Sequence, residues 1–266
     1  MSFQTNKLEN NTHNKHKVAF SEQALDVIRI SDIVLETLDA RFIEKSRIPE
    51  MESHVTEQGK LLIHVITKID LVPRDKLPDV SELSHPIFIS AKTKQGIGNL
   101  RERIHILAKK FKGHVNVHIG VIGYPNTGKS ALISLLARRA AAPVSAHSGF
   151  TKGINKIRFA KGILILDMPG IIPSNENLFG ADNKKHALMG VHTPESVKNP
   201  NLIVAKIMKL HPGELERYYH IPISEDSEIL LEELGKLWKL VKQKGVVDSD
   251  RVARRILKDW HAGKMK

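Results

Sequence analysis

The sequence predicts an α/β fold: a mostly parallel sheet with helices on both faces, followed by a small all-α unit. Three observations predict it. Apolar runs of strand length at residues 33–38, 61–66, 86–89 and 117–122 alternate with stretches of helical spacing, and that alternation places a parallel sheet between helical layers. Chemically distinctive polar residues stand directly after those runs, where open α/β sheets hold their ligands. Past about residue 175 the strand-like runs cease and helical periodicity takes over.

In chain order, residues 1–15 read as a disordered, Asn-rich tail. Phe20, Ala24, Leu25 and Ile28 lie at helical spacing, with Ser21 as an N-cap. Strand 33–38 ends in Asp39-Ala40-Arg41, and 42–57 is mixed, helical in its second half. LLIHVI at 61–66 is a continuous apolar run, suited to a parallel strand buried on both faces, and it empties into Thr67-Lys68-Ile69-Asp70. Residues 73–84, with two prolines and many charges, read as a loop with a short helix; strand 86–89 leads into Ser90-Ala91-Lys92, and 96–110 is helical.

The stretch 117–130, VHIGVIGYPNTGKS, joins a strand to a helix expected over 131–142. Residues 143–153 form a flexible segment with Thr151, and 155–160 pairs with 162–166, which ends in Asp167-Met168-Pro169-Gly170. After a polar connector over 174–183, helices are expected over 196–208, 225–242 and 248–260. In the second, Leu230, Leu234, Leu237, Trp238 and Val241 share a face; in the third, Val252, Ile256 and Trp260 do. Arg251, Arg254, Arg255 and Lys258 set like charges at i,i+4. They suit either a solvated basic face or a surface for a phosphate backbone. Gly245 and Gly263 fall where helix stops belong. The expected division is a tail over 1–15, an α/β domain over 16–180 and a helical domain over 181–266.

Lys and Arg number 41 against 29 Asp and Glu, a net charge of +12 over 266 residues. A balance this basic argues for a polyanionic partner, with RNA favoured over anionic membrane because no segment joins a strong apolar face to a basic rim. No run of 18 apolar residues occurs, and the polar N-terminus lacks the apolar core of a secretory signal. Cysteine is absent, which excludes disulfides and Cys-based zinc sites and suits a cytoplasmic protein.

The stretch 117–130 fits G-x-x-x-x-G-K-[ST] through Gly123, Gly128, Lys129 and Ser130. Such a loop lets the backbone N–H groups of Asn126, Thr127, Gly128, Lys129, Ser130 and Ala131 wrap phosphates at a helix N-terminus. Lys129 is placed for the β- and γ-phosphates and Ser130 for Mg²⁺. Guanine requires a carboxylate for its N1–H and amine, which Asp70 offers; the Lys68 stem can cover the purine and the Ala91 N–H can meet O6. Asp167 is the further Mg²⁺ residue, through water. Gly170 is the γ-phosphate sensor, and Thr151 is the mobile threonine that closes over Mg²⁺. The ligand set is therefore GTP or GDP with Mg²⁺.

The order is base motifs first (67–70, then 90–92), phosphate loop next (123–130), switch motifs last (151, then 167–170). This order resembles the circularly permuted GTPases of the YlqF/RbgA type, in an archaeal-like form, over roughly residues 16–264. Asp39-Ala40-Arg41 looks like the element that opens their permuted domain, and residues 244–264 look like their helical tail. The resemblance implies a circularly permuted P-loop GTPase domain and a GTP-hydrolysing assembly factor that acts as a monomer. Its partners would be rRNA and proteins of the large ribosomal subunit, with no membrane and no zinc.

Two departures bear on chemistry. Thr67 stands where the family usually has Asn, and its hydroxyl can still bond the loop. The family's hydrolytic histidine sits in a Pro-Gly-His context that is missing here; His16 lies at the matching distance, 23 residues before Asp39. Ile171 follows Gly170, where Ras-type enzymes carry a water-orienting glutamine. Intrinsic turnover is accordingly expected to be slow and raised by His16 or by a partner. Asn126 is a candidate K⁺ ligand through its side-chain oxygen, or simply a turn residue after Pro125. The rival functional reading is a GTP-dependent RNA-binding switch with incidental hydrolysis.

Overall fold

Six strands form one sheet: β1 (Ile33–Asp39), β2 (Leu61–Thr67), β3 (Ile87–Phe88), β4 (Val117–Gly123), β5 (Asn155–Ala160) and β6 (Ile163–Asp167), in the order β3-β2-β1-β4-β6-β5. The structure is a computed structural model that describes residues 22–137, 154–173, 176 and 183–265. Every neighbouring pair is parallel except β5–β6. All seven residues of β1 are buried, as an inner parallel strand covered on both faces requires.

Register decides where the chemistry gathers. Asp39 stands opposite Thr67 in the β1–β2 ladder, and Thr37 opposite Gly123 in the β1–β4 ladder. The C-terminal ends of β1, β2, β4 and β6 therefore deliver Asp39, Thr67, Gly123 and Asp167 to one edge of the sheet.

One face packs on α4 (Ile97–Ala108) and α5 (Lys129–Ala137), where Leu100, Ile104, Leu132 and Leu136 meet Ile33, Leu35, Ile63 and Val121. The other face carries α1 (Glu22–Ile30), the short α2 (Ile43–Ser46) and α3 (Pro49–Glu57). From there a continuous apolar cluster reaches α6 (Asn183–Met189), α7 (Pro200–Leu210), α8 (Glu214–Tyr219), α9 (Ser227–Leu237) and α10 (Ser249–His261). Trp260 lies in this cluster at 2% exposure, so the end of α10 is locked into the body of the protein.

The helical part departs from expectation in particular places. The helix expected over 225–242 ends at Leu237; Lys239 takes a left-handed φ of 55°, and Val241 forms an antiparallel bridge with Val247. Leu237 and Val241 are consequently 62% and 45% exposed rather than on the buried face. The helix expected from 196 begins at Pro200, after a 3₁₀ turn Pro194–Ser196; proline suits a first helical position because its missing N–H is not needed there. α6 and α8 are additional helices, too short to show a period. Gly263 does follow a helix end, whereas Gly245 lies in the 3₁₀ turn Gln243–Gly245.

A buried charge cluster sits between the sheet and α3. His64 Nε2 is 3.2 Å from Glu36 Oε2 and 3.6 Å from Glu52 Oε1, while its Nδ1–H donates to the Ser84 carbonyl at 3.1 Å. Arg47 holds Glu52 with two bonds of 2.8 Å, and the Ile48 N–H donates to Glu36 at 3.0 Å. Burial works against the imidazolium, but the two carboxylates prevail and push His64 up to about 9. Glu52, despite its burial, is held down to about 2 by Arg47 and His64.

Candidate guanine-nucleotide site

The phosphate loop turns tightly between β4 and α5. Gly123 has φ 145°, and a Cβ there would lie 2.4 Å from Thr37 Oγ1 and 2.8 Å from the Thr37 carbonyl, so only glycine lets the loop leave the sheet at this point. Thr127 is fully buried and pins the loop from beneath: its hydroxyl donates to the Tyr124 carbonyl at 2.8 Å and lies 2.7 Å from Thr37 Oγ1. Ser130 and Ala131 are exposed in the first turn of α5.

Lys129 is buried, and among the described residues its ammonium donates to the carbonyls of Gly123 at 3.1 Å and Tyr124 at 3.2 Å. Burial pushes it down to about 8, opposed by the charge of Asp167. Asp167 is itself pushed up by burial and pulled down by Lys129. Among the described residues, no carboxylate reaches ion-pair distance of Lys129. A buried cation held by neutral acceptors is costly without an anion, and a triphosphate supplies one. The residues present thus fit a phosphate group, with Ser130 and Asp167 as oxygen donors of the hard kind that Mg²⁺ takes.

The base motifs are joined to this loop by short bonds. Thr67 Oγ1 donates to the Thr127 carbonyl at 2.5 Å and the Leu38 carbonyl at 3.0 Å. Lys68 adopts a left-handed φ of 57° and donates to the Asn126 carbonyl at 2.5 Å. Ser90 Oγ donates to Asp70 Oδ1 at 2.6 Å and accepts from the Thr93 N–H at 3.0 Å. That bond ties the two base motifs into one unit and fixes the Asp70 carboxylate. Ala91 is half-buried and Lys92 exposed beside it.

The switch end closes on the same loop. The Ile171 N–H donates to the Gly123 carbonyl at 3.1 Å, and a Cβ on Gly170 would lie 2.9 Å from Pro125 Cα and 3.1 Å from Lys129 Nζ. The Ile171 side chain is 5% exposed and belongs to the apolar cluster. Residues 67–70, 90–92, 123–130 and 167–171 thus meet at the C-terminal edge of the sheet, in an order no unpermuted nucleotide domain has.

A family model described as 50S ribosome-binding GTPase matches residues 118–217. An uncharacterized GTP-binding protein of Methanocaldococcus jannaschii is 32% identical over 255 residues, covering 94% of this chain and 66% of its own length. Nucleolar GTP-binding protein 2 of Neurospora crassa is 31% identical over 249 residues, covering 90% of this chain and 40% of that protein. This chain's homologues are GTP-binding proteins of the circularly permuted YlqF type. The chain spans between two fifths and two thirds of the length of these curated relatives. The fold agrees: GDP-bound YlqF superposes with a TM-score of 0.59 at 24% identity, over 91% of this chain and 95% of that one. GNP-bound YlqF from T. maritima gives 0.58 at 23% identity, over 91% and 93%.

His16 and Thr151 lie outside the described residues. Asn126 has φ 61°, and its Nδ2 donates to the Met189 carbonyl of α6 at 2.8 Å. The side-chain oxygen is thus the atom left for the K⁺ reading. Sequence reasoning gave no role at the site to three contributors. Thr37 buttresses the loop from β1, where its only signal was a polar position beside Glu36 in a strand with an apolar first half. Arg41 grips Asp39 through Nε at 3.1 Å and a terminal nitrogen at 2.9 Å, and Asp39 in turn holds Lys68 at 2.8 Å. Burial would raise Asp39, but Arg41 and Lys68 together keep it below the usual carboxylate range. Glu176 receives the Tyr124 hydroxyl, Lys185 at 2.5 Å and His186 at 2.8 Å, joining the phosphate loop to α6.

Proposed function

We propose that the chain binds GTP and hydrolyses it as an assembly factor for the large ribosomal subunit, with rRNA bound through its basic helical part. One observation supports the reading: the base motifs and the switch motif meet at a phosphate loop whose buried lysine has, among the described residues, no carboxylate at ion-pair distance. Asp70 accepts from the guanine N1–H and amine, held in place by Ser90. Lys68, anchored by Asp39, presents its stem to the purine. Lys129 and the loop N–H groups take the phosphates, and Ser130, Asp167 and Thr151 hold Mg²⁺, which neutralises charge on the phosphates when bound.

Hydrolysis needs a group to orient the attacking water. Ile171 cannot be that group, because its side chain is apolar and turned into the core. Gly170 senses the γ-phosphate through its backbone, and His16 or the ribosomal partner completes the reaction. The names of the family model and the nucleolar relative support a large-subunit partner, and a charge of +12 supports RNA.

The test is co-sedimentation with large subunits in the presence of a non-hydrolysable GTP analogue or of GDP. Subunit binding that depends on the nucleotide is expected. Equal binding in both states, or none, sinks the reading. Single-turnover hydrolysis by wild type and by His16→Ala, with and without subunits and in KCl or NaCl, then separates His16, partner and K⁺ contributions.

A further inference from the structure

Away from the nucleotide edge, α8, α10 and the segment after α9 enclose an open groove of about 760 Å³. Its wall holds Tyr218, Tyr219 and Trp238, and its rim holds Arg254, Arg255, Lys258 and Lys264. The rings form a ladder: Tyr218 meets Tyr219 edge-on at 4.7 Å, and Tyr219 meets Trp238 at 5.1 Å. The Arg255 guanidinium lies 4.1 Å from the Trp238 ring centre.

The cations divide into two sorts. Arg254 is bound to Asp250 at 2.6 Å and to the Pro194 and Glu195 carbonyls, so it is structural. Lys264 pairs with Asp259 at 2.7 Å, and the Tyr219 hydroxyl donates to that carboxylate at 3.1 Å. Among the described residues Arg255 and Lys258 are in no ion pair. Both are exposed and stand three residues apart on α10. Asp259 is thus engaged from inside by Lys264 and Tyr219, a second acid, Glu195, also lines the groove and is exposed, and two unpaired cations, Arg255 and Lys258, stand against that single remaining carboxylate beside the stacked rings.

We infer that this groove takes single-stranded RNA, with one base stacked on the Trp238–Arg255 pair and the flanking phosphates on Arg255 and Lys258. The inference rests on the rRNA reading above and assigns it a contact surface. Aromatic rings and guanidinium planes receive bases only when those bases are unstacked. A duplex offers the cations its phosphates but cannot reach the rings. An acidic peptide fits the cations equally but gains nothing from the ring ladder.

Trp238 provides the readout. The chain has two tryptophans, and Trp260 is buried at 2% exposure, so a ligand-induced emission change reports Trp238. A short oligoadenylate is expected to quench emission, a duplex of equal length to bind without quenching, and polyglutamate to bind weakly without quenching. Arg255→Ala and Lys258→Ala are surface changes that leave the fold intact. Each is expected to flatten the log–log salt dependence of single-strand binding by about 0.7. Trp238→Leu is expected to lower affinity about 5- to 150-fold, the range of one base stack. Wild-type affinity in the Arg255→Ala/Lys258→Ala double variant overturns the inference, as does quenching by polyglutamate equal to that by RNA. If that double variant still co-sediments with large subunits like wild type, the groove is wrong and the assembly reading stands. If wild type binds neither subunits nor RNA, the underlying reading itself has failed.

Discussion

Replacing Arg41 by methionine tests how the base-recognition loop is held. The Arg41 side chain is 6% exposed and that of Asp39 2%. The substitution keeps an unbranched apolar stem between Phe42 and Trp260, whose rings lie 5.1 and 5.2 Å from the guanidinium. It removes both guanidinium bonds to Asp39 and leaves a buried carboxylate with Lys68 as its remaining cation. Breaking a buried pair from one side costs about 3–5 kcal/mol. For a chain of this size that is a fall in melting temperature of roughly 10 °C. Lys68 also loses its fixed place, and guanine-nucleotide affinity should drop by about one hydrogen bond, ~1 kcal/mol or about fivefold. Thermal unfolding and titration with a fluorescent GDP analogue measure both. The double variant Asp39→Asn/Arg41→Met removes the stranded charge and should recover part of the stability. A single variant melting within about 2 °C of wild type, no more than the shift of about 1 kcal/mol, refutes the reasoning. So does a double variant no more stable than the single.

Other perturbations bear on the same frame. His64 is protonated more readily in the folded chain, pushed up to about 9 by Glu36 and Glu52; its contribution is complete below the unfolded value near 6.5 and lost as pH rises through about 9. Urea midpoints should therefore fall between those pH values, and His64→Gln should flatten the fall. Gly170→Ala sets a methyl 2.9 Å from the Pro125 backbone and 3.1 Å from Lys129 Nζ; the ratio of GTP-analogue to GDP affinity should drop, which paired titrations will show. Thr67→Val keeps shape but removes the donor shared by the Thr127 and Leu38 carbonyls, so it should cost about 1–3 kcal/mol in chemical unfolding.

The sheet was legible because its strands are short, apolar and separated by punctuation. LLIHVI announces a strand by itself, and register then carries Thr67 to the loop without further instruction. The motif residues were legible because each has one chemical use at one spacing. The helical part was harder to read. Leu237 and Val241 continue the helical spacing of Leu230 and Leu234, yet Lys239 turns left-handed and the chain folds back to pair Val241 with Val247. Local pattern cannot see that tertiary return. The clamp of Arg41 on Asp39 was equally hidden, since opposite charges two residues apart usually face solvent, and only packing beneath Trp260 makes this pair internal.

The order of motifs has a mechanical consequence. After Gly170 the chain passes through Glu176, which is bonded to Tyr124 of the phosphate loop and to Lys185 and His186 of α6. α6 ends at Met189, whose carbonyl receives the Asn126 amide, and the Ala187 carbonyl receives His261 of α10 at 2.6 Å. At the other end of the site, Arg41 reaches the Trp260 carbonyl at 3.5 Å, and Gly263 packs on Leu71 so closely that a Cβ would lie 2.8 Å from it. The end of α10 therefore touches the phosphate side through α6 and the base side through Arg41 and Leu71. If nucleotide exchange shifts either side, the free energy of docking α10 shifts with it, and whatever α10 binds must reciprocally change nucleotide affinity. An RNA held on Arg255 and Lys258 of that helix would thus be felt at Asn126 and Lys68. GDP and GTP-analogue affinities measured with and without oligoadenylate would expose that coupling: identical affinities in both conditions would mean that α10 is a rigid attachment and not a relay.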